Sequence, residues 1–417
     1  MPLGFFRAFR SRNFRLFFAG QSVSLLGTWM QKTAVSWVVY AQTHSPFMLG
    51  VSVFATIFPS ALLSLLGGAL ADRYPAYRIL LLTQALSLLQ AALLTVTVWL
   101  KPNAVWEILG LSVALGCINA FDLPARQSLV YGLVEDKQEL PNALAMSSSM
   151  VNVAQLLGPA LAGLVLDRLG ATACFGLNAL SFVAVIGSMV AMRLPPTATP
   201  AAGRSLLGDI AASFRYLHAA PDIRFIIGMM ALLSLLVLPF TTLLPTYAKD
   251  VFGGSAATFG VLEGAAGLGA LAGALYLATL KPSADLNKVL TANTFVFGVG
   301  LLLFAYTPWY PLALGFLAFS SFGMMARITL NVTLLQTLVQ PAMRGRMISL
   351  YVLAFSAMLP LGSLLVGAVS QQIGVQAAVL AEGMLAILLG LVHLRHVRQA
   401  PRQAASPAPY RVEQPVA

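Results

Sequence analysis

Long apolar runs alternate with short polar breaks along the whole chain. Twelve such runs are read, at 14–40, 47–71, 79–100, 106–130, 142–166, 172–192, 223–247, 255–280, 288–306, 310–338, 346–370 and 375–394. Each has about 20 residues or more, the length an α-helix needs to cross a bilayer. Such runs are too long for barrel strands, and a helix satisfies its own backbone hydrogen bonds in lipid. The expected fold is therefore an all-α integral membrane protein with twelve transmembrane helices. An even number of crossings returns both termini to one side.

The polar breaks orient this pattern. Lys101, Arg168 and Lys249 fall in breaks opposite the termini. Most other Lys and Arg residues gather in the N-terminal arm, the 72–78, 135–141, 193–224, 281–288 and 341–346 loops, and the tail. The positive-inside rule makes those segments cytoplasmic, with both termini among them. The longest break contains Pro195-Pro196 and a possible amphipathic segment over 206–217. It divides the runs six and six. The expected organisation is an N-terminal bundle at 1–192, a linker at 193–222, a C-terminal bundle at 223–396 and a disordered tail at 397–417. Gly158, Gly163 and Gly170 recur as Gly362, Gly367 and Gly374, each 204 residues on, as a duplicated unit would leave them.

Composition narrows the function classes. Of 417 residues, 58% are hydrophobic and 9% charged, against about a quarter charged in a soluble domain. The net charge of +11 is scattered through the loops, so topology explains it better than a nucleic-acid partner does. Cys117 and Cys174 lie in apolar runs and imply no disulfide framework. No glycine-rich phosphate loop with a following Lys-Ser/Thr is present, which argues against transport driven by the chain's own ATP hydrolysis. No enzyme activity, cofactor or metal is expected. The expected partners are a small-molecule substrate, protons and the lipid bilayer.

Charged groups inside apolar runs are the candidate site residues, because each costs about 2.5 kcal/mol or more unless shielded. Lys32, Asp122, Arg126, Glu263, Arg327 and Glu382 are such groups. Glu263 is the candidate proton carrier, since a buried carboxyl group can be held as the neutral acid; its alternative is a structural partner. Lys32 would attract an anionic substrate or pair with a carboxylate. Asp122 and Arg126, separated by Pro124, suit a structural cluster at the inner gate better than a substrate site. Arg327 would bind an anionic headgroup or neutralise a gate acid. Trp29, Gln31, Trp37 and Tyr40 in the first run, with Asn152 and Gln155 in the fifth, could line a site for an amphipathic organic molecule. Trp99, Trp106, Trp309 and Tyr310 suit interfacial anchors.

After the second run, Gly68, Asp72, Arg73 and Arg78 resemble the loop signature of the major facilitator superfamily, departing from it at Pro75 and Tyr77. Gly158-Pro159-Ala160-Leu161-Ala162-Gly163 resembles the superfamily signature often associated with exporters. With Ser24–Gln31, Ser45–Gly50, Leu123–Gln127 and Asn142–Leu144, these stretches are similar to the enterobactin-exporter and macrolide-efflux branch, the transmembrane secretion effector group. The resemblance implies two pseudo-symmetric six-helix bundles, a central cavity near Lys32, Glu263 and Arg327, and a supporting-helix place for Glu382. It also implies that Asp72 latches the cytoplasmic side against the start of the eleventh helix near Gly345 and Arg346. Gly68 would let the second helix pack closely there. The function implied is proton-coupled export of a siderophore or drug-like molecule by a monomer in a bacterial inner membrane. A lysophospholipid flippase holding phosphate with Lys32 and Arg327 is the alternative, and a non-transporting sensor or scaffold a distant one. Direction of transport stays open.

Overall fold

The computed structural model describes residues 7–71, 73–134, 137–193, 206–281 and 283–399. Asp72 and the tail from 400 onward lie outside the described residues. The described chain is helical throughout: α1 Arg12–Thr43, α2 Pro46–Ala71, α3 Ala76–Leu100, α4 Val105–Leu133, α5 Leu140–Val190, α6 Leu206–Ala219, α7 Pro221–Leu236, α8 Ala256–Ala278, α9 Leu286–Ala305, α10 Tyr310–Leu338, α11 Arg344–Ile373 and α12 Val375–Gln399. Ten segments among the described residues are long and apolar enough to cross a membrane. Two further crossings come from α1, with 32 residues, and from α5, whose 51 residues break at Gly170. The twelve crossings are those expected. The last helix runs to Gln399, beyond the expected limit of 394.

Local chemistry sets the helix ends. Ser11 caps α1 by accepting from the Phe14 amide at 3.3 Å, and His44 ends it in the left-handed region at φ 46°. Ser255 and Thr258 form a capping box at the start of α8. The seventh crossing departs from a simple helix. After Leu236 it continues as a 3₁₀ segment, Leu238–Leu243, and ends in a π-helical turn, Tyr247–Val251. Pro239 and Pro245 each remove a backbone donor there, so the regular hydrogen-bond ladder cannot continue.

Packing is inverted relative to a soluble protein. Leu62, Leu86, Leu180 and Leu388 are exposed, whereas Gln21, Gln31, Gln84, Gln90 and Asn178 are buried. An apolar exterior with amides inside suits lipid as the surrounding solvent. Within the first half, α1 packs on α5, α2 on α4, and α3 on both α4 and α5. In the second half, α10 packs on α8 and α9, α9 on α12, and α7 on α11. The main contacts between the halves are α2 with α11 and α5 with α8.

The glycine repeat has a structural counterpart. Gly158 lies against Trp29 of α1, and Gly362 against the Leu235 carbonyl at the end of α7. Gly163 meets α8 across the halves, and Gly367 meets α2. Gly170 and Gly374 adopt φ 81° and 86°, turning the chain back after the fifth and eleventh crossings. Matched roles at matched spacing bear out the pseudo-symmetric pair of bundles.

Among the described residues, the closest glycine backbone approaches between the halves lie at the end opposite the termini, called here the far end. A Cβ on Gly163 would lie 2.9 Å from Gly260 Cα, and one on Gly50 would lie 2.3 Å from the Ser363 carbonyl oxygen. At the termini end, a Cβ on Gly68 or Gly345 would meet nothing within 4 Å. The close approach expected of Gly68 belongs to Gly67, whose Cβ would fall 1.9 Å from the Ala120 carbonyl oxygen of α4. One residue is about 100° of helix rotation, enough to turn Gly68 away from the contact.

A valine at Gly163 should destabilise this far-end-closed form by about 2 kcal/mol through overpacking, and Gly68→Ala by less than about 0.5 kcal/mol. Thermal unfolding of the two purified variants in one detergent checks the contrast.

Candidate functional site

The residues that bridge the halves begin on one face of α1. Thr33, Trp37 and Tyr40 follow a spacing of four and then three residues, and Trp29 precedes them on the same side. Thr33 is buried, and its hydroxyl donates to Glu263 Oε2 of α8 at 2.6 Å. One turn earlier on α8, Phe259 stacks on Trp37 with ring centroids 6.1 Å apart and planes 17° apart. Tyr40 donates to the Asp250 carboxylate in the π-helical turn.

Lys32 lies beside this face. Its ammonium sits over the Trp29 ring, 4.5 Å from the centroid, and within electrostatic reach of Glu263. Its side chain remains exposed. Trp29 can approach α5 because Gly158 has no side chain; a Cβ there would lie 2.5 Å from Trp29 Cβ. Pro159 follows, and its carbonyl oxygen would be 2.7 Å from a Cβ on Gly260. Further toward the termini end, Asn152 and Gln155 face Gly267, Ala270 and Met325 across a narrow crevice between α5, α8 and α10. The arrangement therefore has a cation on an aromatic face, a hydroxyl-bound carboxylate, and two amides along one seam. It can bind an organic ion or hold and release a proton.

Several expected site residues lie elsewhere. Gln31 turns into the first half, donating to Gln90 at 3.1 Å and accepting from Asn178 at 2.8 Å. It ties three crossings together and does not line the seam. Trp37 stands at the far end, where it also borders a cavity of about 410 Å³ with Gln42, Trp99 and Thr172. Arg327 is buried in the second half, donating to Thr294 of α9, with Nε unpartnered among the described residues. Glu382 is buried in α12, its carboxyl oxygens likewise without a partner among the described residues.

Of the gate candidates, Asp122 and Arg126 pair with each other. Asp122 is buried and accepts from Thr83 at 2.8 Å, Gln84 at 2.7 Å and Arg126. This fastens α4 to α3 inside one half. Arg73 and Arg78 are exposed around the α2–α3 turn. Arg346, in the first turn of α11, donates to Met343 Sδ at 3.7 Å. Thr33, Phe259 and Asp250 were not singled out by sequence reading. The available signal was the spacing of Thr33, Trp37 and Tyr40 on a helix whose other faces are also largely apolar.

Residues 4–416 match the family described as transmembrane secretion effector. The chain is 25% identical to the staphyloferrin A transporter of Staphylococcus aureus, covering 91% of this chain and 94% of the relative. It is 27% identical to the enterobactin exporter EntS of Escherichia coli K12, covering 94% and 95%. Among solved structures, a bacterial homologue of the human lysosomal transporter Spinster, inward-facing and unoccupied, aligns with TM-score 0.75 and 14% identity over 95% of this chain and 99% of that one. An inward-facing bacterial homologue of ferroportin aligns with TM-score 0.68 and 16% identity over 92% and 98%. These two structures establish likeness of fold.

Asp122→Ala should lower stability by about 2 kcal/mol, because it strips a charged acceptor from buried donors. Asn152→Ala and Gln155→Ala should leave stability within about 0.5 kcal/mol. Thermal unfolding separates the two sets.

Proposed function

This chain belongs to the transmembrane secretion effector family and is a multi-pass membrane transporter, and we propose that it is a proton-coupled exporter of an amphipathic organic molecule. The observation carrying this reading is the Thr33–Glu263 hydrogen bond, which joins a protonatable group in one half to the other. A hydroxyl binds a carboxylate more strongly than it binds the neutral acid. A proton arriving from the far side at Glu263 weakens the bond, and the halves part at that end. Cargo held near Lys32, Trp29, Asn152 and Gln155 then leaves outward. This is alternating access by two bundles rocking about a midplane site.

The cargo class rests on the Lys32 ammonium over an aromatic face with amides along the same seam. The relatives' names include a staphyloferrin A transporter and an enterobactin exporter, so a siderophore is the first candidate and a drug-like molecule the second. The concentration of basic residues on the termini side supports cytoplasmic termini in a bacterial inner membrane. The termini end is then the cytoplasmic one. Arg327 is buried within its own half, which weakens the alternative in which Lys32 and Arg327 jointly clasp a lipid phosphate.

Purified protein in liposomes with an imposed pH gradient tests the proposal against a panel of siderophores, macrolides and lysophospholipids. The expected result is cargo movement with simultaneous gradient collapse for one organic class, with coupling lost in Glu263→Gln. Cargo movement indifferent to the gradient, in both proteins, would exclude proton coupling.

A further inference from the structure

Asp250 and Lys249 belong to an irregular turn that has a role beyond connecting α7 to α8. The Phe252 amide donates to the Tyr247 carbonyl at 3.0 Å, and the Gly254 amide to the Ala248 carbonyl at 2.8 Å. The π turn has one residue more than an α-helical turn would have, so it rotates the positions beyond it by about 100°. Both charged side chains reach α1. Asp250 accepts from Tyr40, and the Lys249 ammonium is 6.0 Å from the centroid of the Trp37 ring. Tyr40 is buried although its partner is exposed, so the bond sits where the closed far end meets solvent.

The rest of the far-end contact offers fewer polar ties. Gly50 with Ser363 and Gly163 with Gly260 are backbone approaches, supplying close packing. Ser45 donates to Gln371 at 3.2 Å at the exposed rim. Contact energy of this kind falls by about a quarter to a half once the surfaces separate by about 0.5–1 Å. A directional bond beside it decides how readily that separation begins.

We propose that Tyr40 and Asp250, with Lys249 against Trp37, form the latch that holds the far end closed, and that breaking it begins opening to the far side. Tyr40 and Asp250 are gate-positioning residues rather than cargo ligands. The latch is distinct from the Thr33–Glu263 bond, one to two turns away along α1. The inference rests on the transporter reading only in requiring two alternately open states.

The test uses the full chain with Cys117→Ser and Cys174→Ala, carrying Ser45→Cys and Gln371→Cys as a far-end reporter for a short bifunctional thiol reagent. Crosslinking needs neither cargo nor a proton gradient, so its failure would leave coupling at Glu263 untouched. Tyr40→Phe, Asp250→Ala and the double variant should each slow crosslinking by about tenfold, as loss of one hydrogen bond to a charged group predicts. Because both substitutions remove the same bond, their effects should not multiply. In a parallel set with Ala270→Cys alone, modification by a water-soluble maleimide should slow as the termini end closes; misfolding would instead speed it. Unchanged crosslinking, multiplicative effects, or faster modification at position 270 would each overturn the latch.

Discussion

The structure turns on a carboxyl group that cannot stand alone in an apolar helix. Glu263 lies in a crossing built largely of glycine, alanine and leucine, where an unpaired charge is costly. Its partner comes from the other half of the molecule: the Thr33 hydroxyl donates to it, and the Lys32 charge lies nearby. Under the proposed mechanism, this partner is within reach only while the far end is closed. That constraint gives α1 its importance, because one face of this helix carries Trp29, Thr33, Trp37 and Tyr40 in sequence.

Glycine packing and the α1 face act together. The close approaches at Gly163–Gly260 and Gly50–Ser363 make the closed far end a contact of backbones, with little room to deform gradually. Closely packed surfaces of this kind favour two arrangements over a continuum. A few polar bonds beside them can then bias the choice. The buried clusters within each half do a different job. Asp122 ties α4 to α3, and Gln31 ties α1 to α3 and the later part of α5, so each half can move as a unit. Arg327 and Thr294 link α10 to α9 in the second half, with an arginine on the tenth crossing where the first half has an aspartate on the fourth.

Hydropathy was enough to read the crossings, because lipid demands apolar length whatever the packing. The glycine repeat was legible too: Gly170 and Gly374 turn the chain in corresponding places. The facing of each helix was not. When all sides of a helix are apolar, no polar stripe marks its inward face. This is why Gly68 was expected at a contact made by Gly67, and why Gln31 was expected at the seam where its neighbours Lys32 and Thr33 belong. Arg327 shows the same limit, since depth in a crossing does not distinguish the central seam from the interior of one half. The irregular end of the seventh crossing had a signal in Pro239 and Pro245, but the placement of Asp250 against Tyr40 depends on which hydrogen bonds replace those lost.

The central claim is that protonation at Glu263 controls closure of the far end through Thr33. The most direct measurement is a pulsed-EPR distance between spin labels on Lys101→Cys and Trp309→Cys, one in each half at that end, at neutral and acidic pH. Acidification should move the population toward longer distances, and Thr33→Val should already show that shift at neutral pH with little further change on acidification. A distribution insensitive to pH and unmoved by Thr33→Val would contradict the account.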